Sequence, residues 1–411
     1  MSSNNNKVIN SLPTYLRPAG KFVRHQEQAA GLSTSRFVQD VTTSLLPKVV
    51  FARSKADLTE TSFLEISEEM LIYFAPAILG ERIARKIFSK KLSDNLKKDV
   101  ATVGTEIIEK SKTNPLMKSK GKEVLPIKAA IALAAMAIPL TEFCLNYIKN
   151  LMTLKVFKKS DFKNIASLEH NEEDIEHQKK VEKSAKKHIT LAASIYAGCL
   201  ALAGLVATKG KNSEILQKIS KFVVAPGSSL FEKKPKLKNF FNKYFSMDFN
   251  NQDGKLVLSK GQLTMSVLIG GMGYFGASAD RGKENFKETA TRFPIVAFYV
   301  ITGSELVEKG FKKLLHRFGK CKDMIDKDLK VPKFSELEDL AETLAKKRGT
   351  TPQEELTKLT KQKVMISGLP YLFALGVMGF FVAGMTNYST RKRYENAKKR
   401  ENTVQDIIKS A

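Results

Sequence analysis

The fold class predicted from the sequence is all-α: a polytopic membrane protein with four to six membrane segments, basic amphipathic connectors and one small β-hairpin. Two uncharged apolar runs, residues 364–388 and 189–207, carry this prediction. Each is long enough for a helix to cross a hydrocarbon layer of about 30 Å. Basic residues flank both runs, as they do where a span meets lipid headgroups. The net charge of +26 suits a protein at an anionic membrane surface.

Four further apolar runs are weaker candidates, and they leave the number of spans open between four and six. They are residues 129–147, which contain Pro139 and Glu142; residues 262–279, which are rich in glycine; residues 293–306, which include Glu305; and residues 70–80, which fit a short interfacial or buried helix.

The predicted domain organisation follows these runs. In chain order it comprises a polar, basic and partly disordered N-terminal region (1–60), an amphipathic helical region (61–128), a first pair of membrane helices with a charged connector (129–207), a basic juxtamembrane region with the hairpin (208–261), a membrane hairpin (262–307), a charged helical connector (308–363), the last membrane helix (364–388) and a basic tail (389–411).

The composition limits which binding partners and which cellular compartment we expect. The excess of basic residues predicts contact with a bilayer that carries anionic headgroups. Nucleic acid is not expected, because the mixture of lysine and phenylalanine at 232–245 is explained more simply by a helix on lipid. The N-terminus lacks the apolar core of a cleaved signal peptide. We therefore expect a multi-pass protein of a bacterial inner membrane, with no cofactor.

Two apolar runs each contain a carboxylate, Glu142 and Glu305, and the stretches around them align without a gap (138–151 and 301–314). The alignment leaves open an internal repeat, as in many transporters, or a chance similarity. At membrane depth, the two carboxylates could form an ion or proton site. The simpler interpretation places each at the headgroup level, because a lysine such as Lys149 follows and would mark the exit from the bilayer.

One histidine-containing segment is a candidate metal site. Glu173 and His177 follow His170 by three and seven residues, which would place all three on one face of a helix. Imidazole and carboxylate groups on one face can bind a divalent metal. No second cluster accompanies them, so we expect a charged, solvated connector and no metal.

Three pairs of small residues predict faces where helices approach closely. Such spacing lets helix backbones pack in a membrane and would support a bundle or a homo-oligomer. The pairs are Ala197 with Ala201, Gly273 with Ala277, and Gly379 with Ala383.

The segment 248–260 has a glycine, Gly254, where a calcium-binding loop would need one. In that register Phe249 and Lys260 occupy ligand positions that require oxygen donors, so the calcium interpretation fails. A β-hairpin that turns at 251–254 explains the alternating apolar residues better.

No common catalytic or nucleotide-binding motif occurs in the sequence. We therefore predict a non-enzymatic protein that organises or anchors material at an anionic membrane surface. Two alternatives stay open: an ion- or proton-coupled transporter or channel that uses Glu142 and Glu305, and a protein that inserts into a target membrane as a pore.

Overall fold

The computed structural model describes residues 8–29, 33–88, 104–252 and 255–410, which are mainly helical. The α-helices are α1 (Arg17–Ala29), α2 (Ser33–Val50), α3 (Lys55–Phe88), α4 (Gly104–Thr113), α5 (Pro115–Ala134), α6 (Ala137–Phe157), α7 (Phe162–Ile165), α8 (Ile175–Lys209), α9 (Glu214–Val224), α10 (Pro226–Leu230), α11 (Pro235–Phe245), α12 (Lys260–Asp280), α13 (Lys283–Phe298), α14 (Ser304–Arg317), α15 (Leu337–Arg348), α16 (Pro352–Phe373) and α17 (Val382–Ser410). Segments of π-helix, Tyr299–Gly303 and Ala374–Phe381, precede α14 and α17.

Two three-residue strands, β1 (Asn250–Gln252) and β2 (Lys255–Val257), pair antiparallel, with Asn250 opposite Val257. The residues between them, 253–254, lie outside the described residues. The alternating apolar residues before β1 do not extend the hairpin. Phe245 is the last residue of α11, and Phe249 packs in a small cluster with Ile131 and Ala135.

The chain divides into two units, and the division cuts across the predicted segments. Unit 1 comprises residues 1–50 and 298–384, and unit 2 comprises residues 51–297 and 385–411. Part of the predicted N-terminal region is folded, because it contains α1 and α2. Within the predicted amphipathic helical region (61–128), residues 89–103 and the side chains of 76–88 lie outside the described residues.

The core of unit 1 joins its N-terminal residues to distant parts of the chain. Leu12 and Val23 are buried with Phe334, Leu337 and Leu359. Burial of these apolar side chains is what holds the N-terminal helices in place, since it supplies roughly 25 cal/mol for each Å² removed from water.

Unit 2 contains a helix bundle in which α6 packs between α3, α8 and α12. One of its apolar clusters contains Val124, Val206 and Val224. Another contains Tyr147 and Ala277. Helix α12 begins at a capping box, in which the Ser259 hydroxyl accepts from the Gln262 backbone N–H and the Gln262 side chain accepts from the Ser259 backbone N–H.

Within the described residues, three helical stretches are long and apolar enough to cross a membrane: Pro115–Phe157, Ile175–Lys209 and Pro352–Asp406. These three candidates do not confirm the predicted four to six spans. The run 262–279 forms α12, whose glycine and serine residues make it less apolar than the other three stretches. The run 293–306 is divided between α13, a π-helical segment and α14.

Candidate functional site

The outer face of α8 is apolar and largely exposed. Of its most apolar window, only 17% is buried inside the protein. Leu191, Ile195 and Leu205 are each about half exposed. The apolar window within Pro352–Asp406 is similar, with 11% buried. Apolar surface of this extent, on helices long enough to cross a bilayer, is typical of contact with lipid.

Three short helices, α9, α10 and α11, follow the end of α8. Each exposes a large apolar side chain: Phe222 on α9, Leu230 on α10 and Phe240 on α11. Residues 208–245 also hold nine lysines against two acidic residues. Helices α9 and α11 therefore present apolar and cationic groups together, which is the combination found in helices that lie on anionic membranes. We call residues 208–245 the basic segment.

A second candidate site lies inside unit 2, where α6 meets α3 and α12. Five polar side chains of α6 lie there at spacings of three and four residues, with two of them adjacent, and all are buried: Glu142, Asn146, Lys149, Asn150 and Thr153. This spacing puts them on one stripe of the helix. We call these five residues, together with Arg53, Asp57, Glu60, Glu68, Ser266, Arg281 and Glu288, the polar core.

The best-defined contact of the polar core is a buried ion pair between Arg281 and Glu60. Arg281 Nη1 donates to Glu60 Oε2 at 2.7 Å and Nη2 donates to Oε1 at 2.6 Å, and the Thr153 hydroxyl also donates to Oε1. Burial alone would raise the pKa of Glu60, but the positive charges of Arg281 and Lys149 outweigh it, so the pKa lies below its ordinary value. Glu60 is therefore held as a carboxylate.

Arg53 forms a second ion-pair group at the start of α3. Its guanidinium contacts Glu288 through Nη1 at 2.7 Å and Asp57 through Nε at 3.0 Å. The same guanidinium lies over the ring of Phe162, with 5.0 Å between Cζ and the ring centroid. One cation thus holds two carboxylates from α3 and α13 in a partly buried position, where paired charges are much less costly than isolated ones.

Glu142 is part of the polar core and is enclosed by protein. Its side chain is 8% exposed and accepts a hydrogen bond from the Ser266 hydroxyl on α12. Lys149, which was predicted to lie at the headgroups, is also buried, with its Nζ 5.6 Å from the Tyr274 ring centroid. Protein therefore surrounds both groups, and their depth in a bilayer stays a prediction.

Glu305 has a different environment from Glu142 despite the similar sequence around it. It is exposed on α14 in unit 1, whereas Glu142 is buried in unit 2. The two aligned stretches also differ in backbone, since 138–151 lies within α6 and 301–314 crosses from a π-helical segment into α14.

The predicted metal-binding face does not form at His170, Glu173 and His177. Helix α8 begins only at Ile175, so the first two residues precede it, and His170 is exposed. Glu173 instead accepts from the backbone N–H and the hydroxyl of Ser160, and His177 Nδ1 lies 2.9 Å from the same hydroxyl. In the described part of the chain, no group of three or more His, Cys, Asp or Glu residues is placed to hold a metal ion.

The pair Gly273 and Ala277 packs inside unit 2. Both residues are buried on α12, and a Cβ at Gly273 would lie 2.6 Å from the Phe143 carbonyl oxygen of α6. Glycine is needed at this point because the two helix backbones approach so closely.

The other two small-residue pairs have opposite environments. In unit 1, Gly379 lies against α2, where an added Cβ would meet Pro47 Cγ at 2.5 Å, and Ala383 is buried. Ala197 and Ala201, in contrast, face outward from α8.

Sequence reasoning missed most of the polar core. Glu60 and Arg281 are 221 residues apart in the chain, so no local pattern could pair them. The recurrence of polar residues along α6 was the available signal, because five polar side chains at helical spacing in an apolar run indicate a buried polar stripe. Comparison of the chain with known protein families, with curated proteins and with solved structures found no match.

Proposed function

We propose that this chain is a non-enzymatic, multi-pass membrane protein that anchors or organises material at an anionic membrane surface. The observation that carries the proposal is the exposed apolar face of α8, which leads directly into the lysine-rich basic segment. The apolar face provides the insertion, and the lysines provide the preference for anionic headgroups, at about 1 kcal/mol for each lysine near the surface.

The first test asks whether the chain is integral to the membrane. Membranes from the producing cells are extracted with alkaline carbonate, and the protein is followed by immunoblotting. An integral protein stays in the pellet. Release into the supernatant would contradict the proposal and would favour a protein that inserts into a membrane only after release, as a pore-forming protein does.

The second test asks whether the basic segment recognises anionic lipid. The protein is placed in nanodiscs of neutral lipid with increasing amounts of phosphatidylglycerol, and its melting temperature is measured. Because a ligand that binds only the folded state stabilises it, anionic lipid should raise the melting temperature. The variant with Lys233, Lys234, Lys236 and Lys243 changed to glutamine should lose this rise.

A matched variant separates local recognition from a general effect of charge. Four exposed lysines of unit 1, Lys322, Lys327, Lys346 and Lys347, are changed to glutamine, which removes the same charge elsewhere. This variant should keep the full response to anionic lipid. Equal losses in both variants would show that net charge, and not the basic segment, determines the response.

The alternative of a transporter or channel that pairs Glu142 with Glu305 receives no support from their positions. Glu305 is exposed on α14, and only Glu142 is enclosed by protein. Flux measurements in liposomes test this alternative directly, since the Glu305→Gln variant would abolish a coupled flux only if Glu305 takes part in it.

A further inference from the structure

We propose that Ser160, Glu173 and His177 form a proton-binding site at the start of α8, in which His177 takes up one proton from water. The site lies in unit 2, where the connector between α6 and α8 (residues 158–174) meets the end of α12. The inference does not depend on the proposed lipid binding, because it concerns hydrogen bonds within unit 2. It rests on three contacts that together need more protons than the neutral side chains supply.

The three contacts form a chain through one hydroxyl group and one imidazole ring. Ser160 Oγ lies 2.8 Å from Glu173 Oε2 and 2.9 Å from His177 Nδ1. On the other side of the ring, His177 Nε2 lies 3.1 Å from the backbone carbonyl oxygen of Asp280, the last residue of α12. Each distance is that of a hydrogen bond, so each contact needs a proton between its two atoms.

The groups at both ends of this chain can only accept. The backbone carbonyl oxygen at one end has no proton to donate, so the ring must carry a proton on Nε2. At the other end, Glu173 accepts from the backbone N–H groups of Ser160 and Asp161 and from Asn164 Nδ2. Burial raises the pKa of Glu173, but these hydrogen bonds outweigh it, so the pKa lies below its ordinary value. Glu173 is therefore a carboxylate, and the Ser160 hydroxyl donates to it.

The three contacts need three protons, and neutral side chains supply two. The hydroxyl has one proton, and a neutral imidazole has one, which the Asp280 carbonyl oxygen holds on Nε2. The contact between Ser160 Oγ and His177 Nδ1 would then lack a proton. If the hydroxyl turned to Nδ1, the oxygens of Ser160 and Glu173 would face each other without one. A third proton on Nδ1 completes the chain, and the Glu173 carboxylate balances the charge of the imidazolium.

The surroundings of this chain make a missing proton costly. Ser160 is 1% exposed and Asn164 is 5% exposed, so solvent has little access to the hydroxyl. A buried polar contact that loses its hydrogen bond costs free energy, because water does not replace the lost partner. The carbonyl groups at the end of α12 also carry partial negative charge, which favours a cation at His177.

The other charged groups described on the elements around His177 are exposed or bound elsewhere, with one exception. The exposed groups on α6, in the connector and on α8 are Lys155, Lys158, Asp174, Glu176 and Lys180. Those bound to other groups are Lys159, with the Asn164 carbonyl oxygen; Asp161, with the Lys163 backbone N–H; Lys163, with Glu169; and Arg281, with Glu60. The exception is Asp280, whose negative charge beside the ring also favours the imidazolium.

The experiment is ¹⁵N NMR of the full chain in nanodiscs, with ¹⁵N-labelled histidine, from mildly acidic to alkaline pH. The chain has five histidines, and the spectrum of the His177→Gln variant identifies the His177 signals by their loss. Ring nitrogen shifts distinguish the imidazolium from each neutral tautomer. We expect His177 to be an imidazolium at mildly acidic pH. As the pH rises, it should lose the Nδ1 proton and keep the Nε2 proton.

His188, on the same helix, is a matched internal control. Its Nδ1 lies 2.9 Å from the Ser184 backbone carbonyl oxygen, so its neutral form should carry the proton on Nδ1. The two histidines should therefore show opposite neutral tautomers.

Two serine variants test the hydroxyl. Ser160→Ala removes the acceptor of the Nδ1 proton, so the imidazolium signal of His177 should persist only to a lower pH than in the wild type. Ser184→Ala removes a hydroxyl 3.3 Å from His188 Nδ1 and should leave the His177 signals unchanged. The melting temperature of each variant shows whether it is folded. If Ser160→Ala does not fold, Glu173→Gln removes the balancing charge and should change the His177 signals in the same direction.

Three results would overturn the proposal. A His177 ring that stays neutral throughout the mildly acidic range, in the folded wild-type protein, would show that the site binds no proton. A neutral form with its proton on Nδ1 would show that the Asp280 carbonyl oxygen does not hold the proton on Nε2. An unchanged His177 titration in folded Ser160→Ala would show that the hydroxyl takes no part in binding the proton.

Discussion

The helical stretch Pro115–Phe157, which comprises α5 and α6, and helix α8 contain nearly equally apolar windows but differ in what covers them. The apolar window of the stretch that contains α6 has a mean hydropathy of 1.9 and is 78% buried, whereas that of α8 has a mean hydropathy of 2.0 and is 17% buried. Hydropathy reports how apolar a helix is, and it does not report whether protein or lipid surrounds it. The first stretch also contains the polar stripe of α6, which needs protein partners because buried polar groups are hydrogen-bonded.

The first prediction compares a buried ion pair that lies beside α6 with an exposed ion pair on α8. Changing Glu60 to Gln leaves the buried Arg281 charge without its partner near α6, which should lower the free energy of unfolding by about 3–5 kcal/mol. Glu182→Gln breaks an exposed pair with Lys186 on α8 and should cost less than about 1 kcal/mol. Unfolding of both variants in detergent measures the difference, and similar losses would contradict the assignment of a buried charged environment to α6 alone.

The second prediction concerns insertion of each helix by itself. In a translocon insertion assay, the segment 189–207 should insert on its own. The segment 138–156 should not, since Lys149 alone costs about 2.5–3.5 kcal/mol near the centre of a span. Changing Lys149 and Glu142 together to leucine should restore insertion. Efficient insertion of the unchanged 138–156 segment would remove the distinction between the two helices.

A third prediction uses the same substitution on two helical glycines. Gly273→Ala adds a Cβ that would lie 2.6 Å from the Phe143 carbonyl oxygen, and overpacking of this kind costs about 1–3 kcal/mol. Gly198→Ala, on the outer face of α8, meets nothing within 4 Å and should be neutral or stabilising by up to about 1 kcal/mol. Thermal unfolding of the two variants gives the comparison. Destabilisation by Gly198→Ala would indicate that this face of α8 is covered by protein.

The fourth prediction is a pH dependence that arises in the polar core. The pKa of Glu68 is raised to about 7, so ionisation is disfavoured in the folded state and stability should fall as the pH rises from about 4.3, the unfolded value, through 7. Glu60 has a lowered pKa, so its contribution is lost only as the pH falls through its folded value. Melting temperature should therefore be highest in the mildly acidic range.

The Glu68→Gln variant tests the assignment of this pH dependence. Its melting temperature should change less than that of the wild type across neutral pH, because the group that titrates there is gone. A wild-type profile that rises steadily toward alkaline pH would have the opposite sign and would contradict the environment assigned to Glu68.

The sequence was sufficient for features that depend on local composition. The uncharged run 189–207 lies within α8, and the spacing of Gly273 and Ala277 marks a close helix contact. The polar core could not be predicted from local composition, because the residues that contact one another in it come from α3, α6 and the end of α12. The burial of Lys149 was missed for the same reason, because a lysine after an apolar run gives the same sequence pattern whether it is exposed or enclosed by protein.

The central claim is that α8 faces lipid while the polar stripe of α6 faces protein. Photoreactive apolar lipid probes in reconstituted membranes, followed by mass spectrometry of the labelled peptides, test it most directly. The account predicts labels on α8 at Leu191, Ile195 and Leu205 and none on α6 from Glu142 to Thr153. Labelling of that α6 stripe, or an unlabelled α8, would contradict it.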